Sequence, residues 1–406
     1  MNTTSSLLPR LGVGASEGQG SYSISLARCI NERNVDEWVA ACGGPPEAVM
    51  DPRFLRAVEN SMGADAQFYN VVVRDAANQP AAAAFLTLYN LDSMLLAPPR
   101  WKKAVTWLRT LCPRLLKFRV LMCGCPVSTG ESHLRIAPGA DSQAVLRELD
   151  QLLMEIGRTE GALYVVFKEF DPEQAAQISG LSALGYVRVD SPPMNYLPTR
   201  FRDFDHMCAS FRSRYRNQLL RSRKKFEPSG LRVVHLRGGM GVDALYTEDV
   251  HRLYLGVLGR AELKLECLPA EFFRELARQF PDEAAFTLIY QDKRIVAFMC
   301  GIYLQDEYLN LFCGYDYESN DESDLYFNLM YEDLDYALRQ KMKFIHVGQT
   351  ANDFKSRMGC FLEPRSFYIK ARLSLLQPVL RASCPYLFPP APPIHERNLF
   401  RETNGD

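Results

Sequence analysis

The stretch FTLIYQDKRIVAFMCGIYLQDEYLNLFCGYD (286–316) reads as two strand-like apolar runs across a tight polar turn, followed by a third run. Directly after it, SDLYFNLMYEDLDYALRQK (323–341) has helical periodicity, with Leu325, Leu329, Tyr336 and Leu338 expected to pack inward. That helix leads into a short apolar strand, FIHV (344–347). The same order occurs earlier in the chain. FYNVVVRDAANQPAAAAFLTLY (68–89) forms a hairpin pattern, and SQAVLRELDQLLMEIGRTEG (142–161) forms a helix with Val145, Leu149, Leu152, Leu153 and Ile156 on one face. ALYVVF (162–167) then follows as a strand. Hairpin, strand, helix, strand therefore occurs twice, which predicts a tandem α/β duplication.

The remaining organisation follows from this repeat. Residues 1–22 are rich in Gly and Ser and are expected to be disordered, and 23–205 form the first domain. Residues 206–380 form the second, and 381–406 a Pro-rich tail, expected to be extended rather than packed. The glycine-rich run near the N-terminus has no strand before it, which argues against a nucleotide loop. The first half carries an extra segment, APPRWKKAVTWLRTLCPRLLKFRV (97–120), basic and amphipathic. It reads as a cap over the cleft or as a contact with an anionic membrane surface.

With 406 residues, a formal net charge of -1 and 47% apolar residues, the chain has the composition of a globular protein of two domains. A generally basic, nucleic-acid-coating protein is excluded, so anion binding must come from local clusters. The 11 cysteines are scattered, and their one close pair, Cys123-Gly-Cys125, lacks a second pair to complete a zinc quartet. Reduced thiols and a cytoplasmic location are expected. No metal-ligand spacing, G-x-S-x-G elbow or signal-peptide pattern is present.

Positive charge is concentrated between the halves. In FRSRYRNQLLRSRKKFEPSG (211–230), 7 of the 15 residues from Phe211 to Lys225 are Arg or Lys. The stretch predicts a helix that docks through Phe211, Tyr215 and Leu219 and ends at Pro228-Ser-Gly230. Arg214, Arg221 and Lys225 occupy another stripe. Guanidinium forks suit phosphate oxygens, so these residues are candidates for binding a phosphate-bearing ligand.

Four features taken in order resemble the tandem GNAT-like acyltransferases, a group that includes Fem-type peptidyltransferases and FemAB-like or "BioF-like acetyltransferase" proteins. They are the basic helix from Arg212 to Gly230, a long helical stretch from Asp243 to Gln279, the hairpin and strand ending in Gly314-Tyr315-Asp316, and Phe344–Gly348 with Lys355 following in QTANDFKSRMGC. The resemblance covers roughly residues 30–375. It implies two tandem GNAT-like domains, each a mixed, mostly antiparallel sheet flanked by helices, with a central cleft. The implied activity is transfer of an acyl or acetyl group from an activated donor to a small-molecule amine, forming an amide. The implied donor is acyl-CoA, used as a co-substrate with no tightly bound cofactor. The alternatives are aminoacyl-tRNA as donor, or a degenerate pair that binds phosphate or lipid without catalysis.

The resemblance puts Lys355 first, and residue chemistry and position supply the other candidates. Lys355 is the candidate oxyanion stabiliser or phosphate anchor, with His346 as proton acceptor and Tyr315 as proton donor to the leaving group. Arg212, Arg214, Arg221 and Lys225 would hold the donor's phosphates, and Gln349, Asn352, Asp353 and Arg357 the substrate. One departure stands out. GYDYESNDESDLYF (314–327) lacks the glycine pattern that binds CoA pyrophosphate in many GNAT domains and carries five acids, which repel phosphate there and favour the helix dipole. His133, beside Glu131 in GESH, reads as a first-half site residue or a loop histidine, the loop being the default.

Overall fold

The computed structural model describes residues 22–92, 117–239, 241–261, 266–389 and 399–401. The strands are β1 (Ser23–Ala27), β2 (Ala66–Arg74), β3 (Pro80–Asp92), β4 (Lys117–Cys123), β5 (Leu134–Ile136), β6 (Ala162–Phe170) and β7 (Val187–Leu197). They continue with β8 (Arg232–Arg237), β9 (Ala284–Gln291), β10 (Arg294–Leu304), β11 (Glu307–Tyr315), β12 (Phe344–Gly348) and β13 (Phe361–Ala371). All belong to one sheet of order β1–β2–β3–β4–β6–β13–β7–β12–β11–β10–β9–β8, with β5 beside β3. Pairing is antiparallel except for β4 with β6 and β11 with β12. The predicted repeat is present: β2–β3–β4, a helix and β6 in the first half match β9–β10–β11, a helix and β12 in the second.

At the centre the two halves exchange strands. β13, from the end of the second half, lies between β6 and β7 of the first, while β7 lies between β13 and β12. Backbone hydrogen bonds therefore run unbroken across the middle of the molecule.

The helices that matter for the site are α1 (Pro52–Met62), α2 (Ser142–Glu160), α3 (Ser213–Phe226), α4 (Glu248–Arg260), α5 (Ala270–Gln279), α6 (Leu325–Arg339) and α7 (Asn352–Arg357). α2 is capped by Asp141, ends at left-handed Gly161, and buries Val145, Leu149, Leu152, Leu153 and Ile156, as its periodicity predicts. α6 buries Leu325, Leu329 and Leu338, while Tyr336 is half-buried against His235. α1 and α5 pack together from opposite halves. Phe54 meets Phe272 edge-on with ring centroids 6.5 Å apart, and Arg53 pairs with Glu283 at 2.7 Å.

Three expectations need correction. The long helical stretch from Asp243 to Gln279 is broken among the described residues into Val242–Leu245, α4 and α5, because Thr247 caps a new helix and Pro269 precedes another. The helix expected over 323–341 is preceded by a separate turn of helix, Tyr317–Ser323, with left-handed Asp324 between them. The tail is packed where it is described. Residues up to Leu387 belong to a helix, and Phe400 lies against Phe211, ring centroids 5.2 Å apart, with Arg212 N donating to Leu399 O at 2.8 Å. Residues 1–21 and most of the basic insertion 97–120 lie outside the described residues. Its last four, Lys117–Val120, form the start of β4.

Candidate active site

The two parallel strand pairs differ in length of contact. In the first half β4 stays paired with β6 from Arg119 to Cys123. In the second, β11 and β12 pair only through Tyr308–Ile345 and its two neighbours, ending at Leu309–His346. Beyond that point the strands separate, and a cavity of about 160 Å³ opens between them. Its wall includes Asn310, Cys313, His346, Gln349 and Lys355 from the second half and Ser128, Thr129 and Met194 from the first.

Lys355 sits on α7, reached through left-handed Gly348 and Ala351. A β-carbon on Gly348 would stand 3.5 Å from Lys355 Nζ, so the strand end and the ammonium lie side by side. Lys355 is 4% exposed, and its Nζ has no hydrogen-bond or carboxylate partner among the described residues. Burial pushes its pKa down to about 8, opposed weakly by Cys360 and Cys313.

His346 is held differently. Nδ1 lies 3.3 Å from Glu131 Oε1 and Nε2 3.8 Å from Glu307 Oε2, ion-pair distances for a protonated ring. Neither nitrogen makes a hydrogen bond of good geometry, and the ring is 6% exposed. Glu131 itself is anchored. Arg365 Nη2 donates to its Oε1 at 3.2 Å, Tyr196 OH donates to the same oxygen at 3.1 Å, and Arg365 Nε donates to Gly130 O at 2.6 Å. Burial alone would raise the Glu131 pKa, but His346 and Arg365 reverse this and hold it well below the usual carboxylate range.

The other predicted residues divide. Gln349 lines the cavity. Its Nε2 donates to Pro192 O at 2.8 Å, and its Oε1 is buried without a partner. Asn352 is a positioning residue, because Asn195 Nδ2 donates 2.8 Å bonds both to its Oδ1 and to Gly348 O, fixing the turn before Lys355. Tyr315 packs in an aromatic row, 4.5 Å from Tyr317 and 5.2 Å from Tyr326 by ring centroid. It is not on the cavity wall, and burial raises its pKa.

Asp353 and Arg357 face away from Lys355. With Arg221 and Lys225 they line a second cavity of about 440 Å³ between α3, α6 and α7, with Phe327, Phe354 and Tyr331. On a helix, positions 353, 354 and 357 share one side and 355 points to the other. Lys225 is paired there with Asp324 at 2.9 Å, and Arg357 with Asp353. Arg214 is exposed outside both cavities, and Arg212 precedes α3 with its Nε donating to Phe400 O at 3.3 Å. Asp316 accepts from Glu318 N, so the acidic junction does cap a helix.

Sequence reasoning missed the first-half contribution. Glu131, Ser128 and Thr129 belong to a loop with no local signal, and Glu266 precedes α5 without a motif. Glu266 is partly exposed as a residue, but its Oε2 is sealed in the cavity wall without a hydrogen bond, and burial pushes its pKa up to about 7. His133 is a fully buried histidine whose pKa burial lowers to about 3, next to Phe85 at 6.0 Å.

A family model for FemAB-like proteins, described as peptidoglycan biosynthesis/recognition, matches residues 113–369. The chain belongs to the FemAB-like family. Two solved structures share the fold of this FemAB-like protein. One is a tandem GNAT protein from the clavulanic acid biosynthesis pathway, 14% identical, TM-score 0.53, covering 86% of this chain and 99% of that one. The other is FemX, 12% identical, TM-score 0.53, covering 88% of this chain and 99% of that one. Comparison with curated protein sequences gives no match. The FemAB-like chain thus has a tandem GNAT fold. No helix among its described residues is long and apolar enough to cross a membrane, and none of its described cysteines is in a disulfide.

Proposed function

We propose that this FemAB-like protein joins an acyl group from an activated donor to an amine, forming an amide in the cavity where β11 and β12 separate. The observation that carries this reading is the buried, unpartnered ammonium of Lys355 on the same cavity wall as His346. Attack of the amine nitrogen on the donor carbonyl forms the C–N bond and places negative charge on the oxygen. Lys355 stabilises that oxyanion in a site of low dielectric. Expulsion of the leaving group breaks the carbonyl–leaving-group bond. An incoming ammonium gives up two protons, one to His346 and one to the departing atom. Glu131, fixed by Arg365 and Tyr196, orients the imidazole for this.

The donor proposed first is an acyl-CoA in a cytoplasmic reaction. Arg221 and Lys225, together with Arg357, supply cations at the second cavity, which shares α7 with the first. Aminoacyl-tRNA is the second reading. It is favoured by Arg214 and Lys224, exposed on α3 beyond that cavity and available to a longer polyanion.

The test incubates the full chain with an amine mixture and either acetyl-CoA or aminoacyl-tRNA, and reads amide product by mass spectrometry. Product with wild type and its loss in Lys355→Met supports the reading. Absence of amide with both donors, with ligand binding unchanged in Lys355→Met and His346→Gln, would leave a binding module instead.

A further inference from the structure

His346 lines a third cavity as well as the first. This one, about 240 Å³, is bordered by Glu47, Glu131, Asp171, Glu307 and Glu363, with Tyr196, Phe344 and Phe361. We infer that this cavity is the entrance for the amine substrate, and that the substrate is an aliphatic di- or polyamine carrying at least two positive charges. The inference rests on the acyl-transfer reading for the fate of the amine, but not for its binding.

The charge balance supports a dication. Arg135 pairs with Glu47, and Arg365 with Glu131 and Glu363, so two guanidinium groups face five carboxylates. Asp171 and Glu307 have no Lys or Arg partner among the described residues. Carboxylates gathered around a hollow without matching cations favour a ligand that brings them.

Two further observations point to a ligand and do not depend on the acids. Phe344 and Phe361 are each 54% exposed at the rim, where large rings would ordinarily be covered, and Phe361 stacks on Tyr196 at 5.6 Å. Aromatic faces beside a hollow attract alkylammonium groups. His346 is buried, and both ring nitrogens lack a hydrogen bond even though carboxylates lie near them. An amine nitrogen entering this cavity would supply the missing partner on the Nε2 side, beside Glu307. Its second charge would remain among Asp171, Glu307 and the rings. From there the attacking nitrogen forms the amide C–N bond as the donor's acyl bond breaks, and of the two protons it sheds one passes to His346 and one to the departing atom.

The experiment is calorimetric titration of the full chain, without any donor, with putrescine, spermidine and n-butylamine. The diamine and triamine are expected to bind at least about fivefold tighter than the monoamine. Glu307→Gln should remove about fivefold of that preference, the scale of one partly exposed ion pair. Phe344→Ala, a substitution at an exposed position, should weaken all three amines. Equal affinity for mono- and diamines, or diamine binding indifferent to both substitutions, overturns the inference. Product analysis with acetyl-CoA and aminoacyl-tRNA is read separately. Diamine binding with no amide from either donor rejects the acyl-transfer reading and retains the diamine site, whereas amide formation on monoamines alone rejects this inference and retains acyl transfer.

Discussion

Glu131 Oε1 stands 3.3 Å from His346 Nδ1, joining a loop of the first half to a central strand of the second. Glu131 is fixed in turn by Arg365 on β13 and Tyr196 on β7, the two exchanged strands. The proposed proton acceptor therefore depends on the strand exchange for its orientation.

His346→Gln is expected to lower kcat by about 10²–10⁴-fold, the range for loss of a general base, with little change in KM. Glu131→Gln should reproduce part of that loss while keeping the fold at neutral pH. Steady-state kinetics on the wild type and both variants checks this. A kcat unchanged in His346→Gln assigns the proton elsewhere, with Glu266 next in the same cavity.

The pH dependence of stability follows from the same contact. Glu131 titrates below its ordinary value of 4.5 in the fold, so its contribution is present above that pH and is lost as pH falls toward its depressed value. Urea melts of wild type and Glu131→Gln should therefore differ most above pH 4.5 and converge in acid. A gap independent of pH would contradict the ionised pairing.

For Lys355 stability again rises with pH, but because burial penalises the charged form rather than because a partner favours it. Its pKa is lowered in the fold from 10.5 to about 8, so between these values the unfolded chain binds more protons. Stability is then expected to rise as pH goes from about 8 to 10.5, and this rise should vanish in Lys355→Met. Activity should decline over the start of the same window as the oxyanion loses its cation, and Lys355→Met should lose about 10²–10³-fold in kcat. Melts and pH–rate profiles together test both.

The frame under the cavity can be probed apart from catalysis. Asp333 on α6 is buried and accepts hydrogen bonds from Thr287 Oγ1, Tyr308 OH and Asn310 Nδ2 at 2.8–2.9 Å, which tie β9 and β11 to the helix. Asp333→Ala leaves these donors without partners and is expected to cost about 2–4 kcal/mol in denaturant unfolding. Gly314→Ala should also destabilise, because its β-carbon would meet the α4 backbone at Tyr254 N, 2.5 Å away.

Charge reversal on α3 separates the two donors. Arg221→Glu, within the second cavity, should raise KM for either phosphate-bearing donor. Arg214→Glu, outside it, should weaken aminoacyl-tRNA by several-fold, in a salt-dependent way, and leave acetyl-CoA unchanged. Equal effects of both substitutions on both donors would place the handle elsewhere.

The amino-acid order alone determined the repeated hairpin, strand, helix and strand, the buried faces of α2 and α6, and α3 docked through Tyr215 and Leu219, whereas Phe211, expected on the same stripe, precedes the helix and bridges to Phe400. Each is a local periodicity, and a period of two or of 3.6 is legible wherever one face is buried. It also singled out Lys355, through the resemblance carried by the segment after β12, and His346, by its residue type within that strand. Only the tertiary structure decided that these two share a cavity with Thr129 and Glu266, that Arg221 and Lys225 line a different one, and that β7 and β13 change places. Those relationships depend on which distant strands pair and in what register. A charge on one strand carries no local mark of the partner that a crossover will bring beside it.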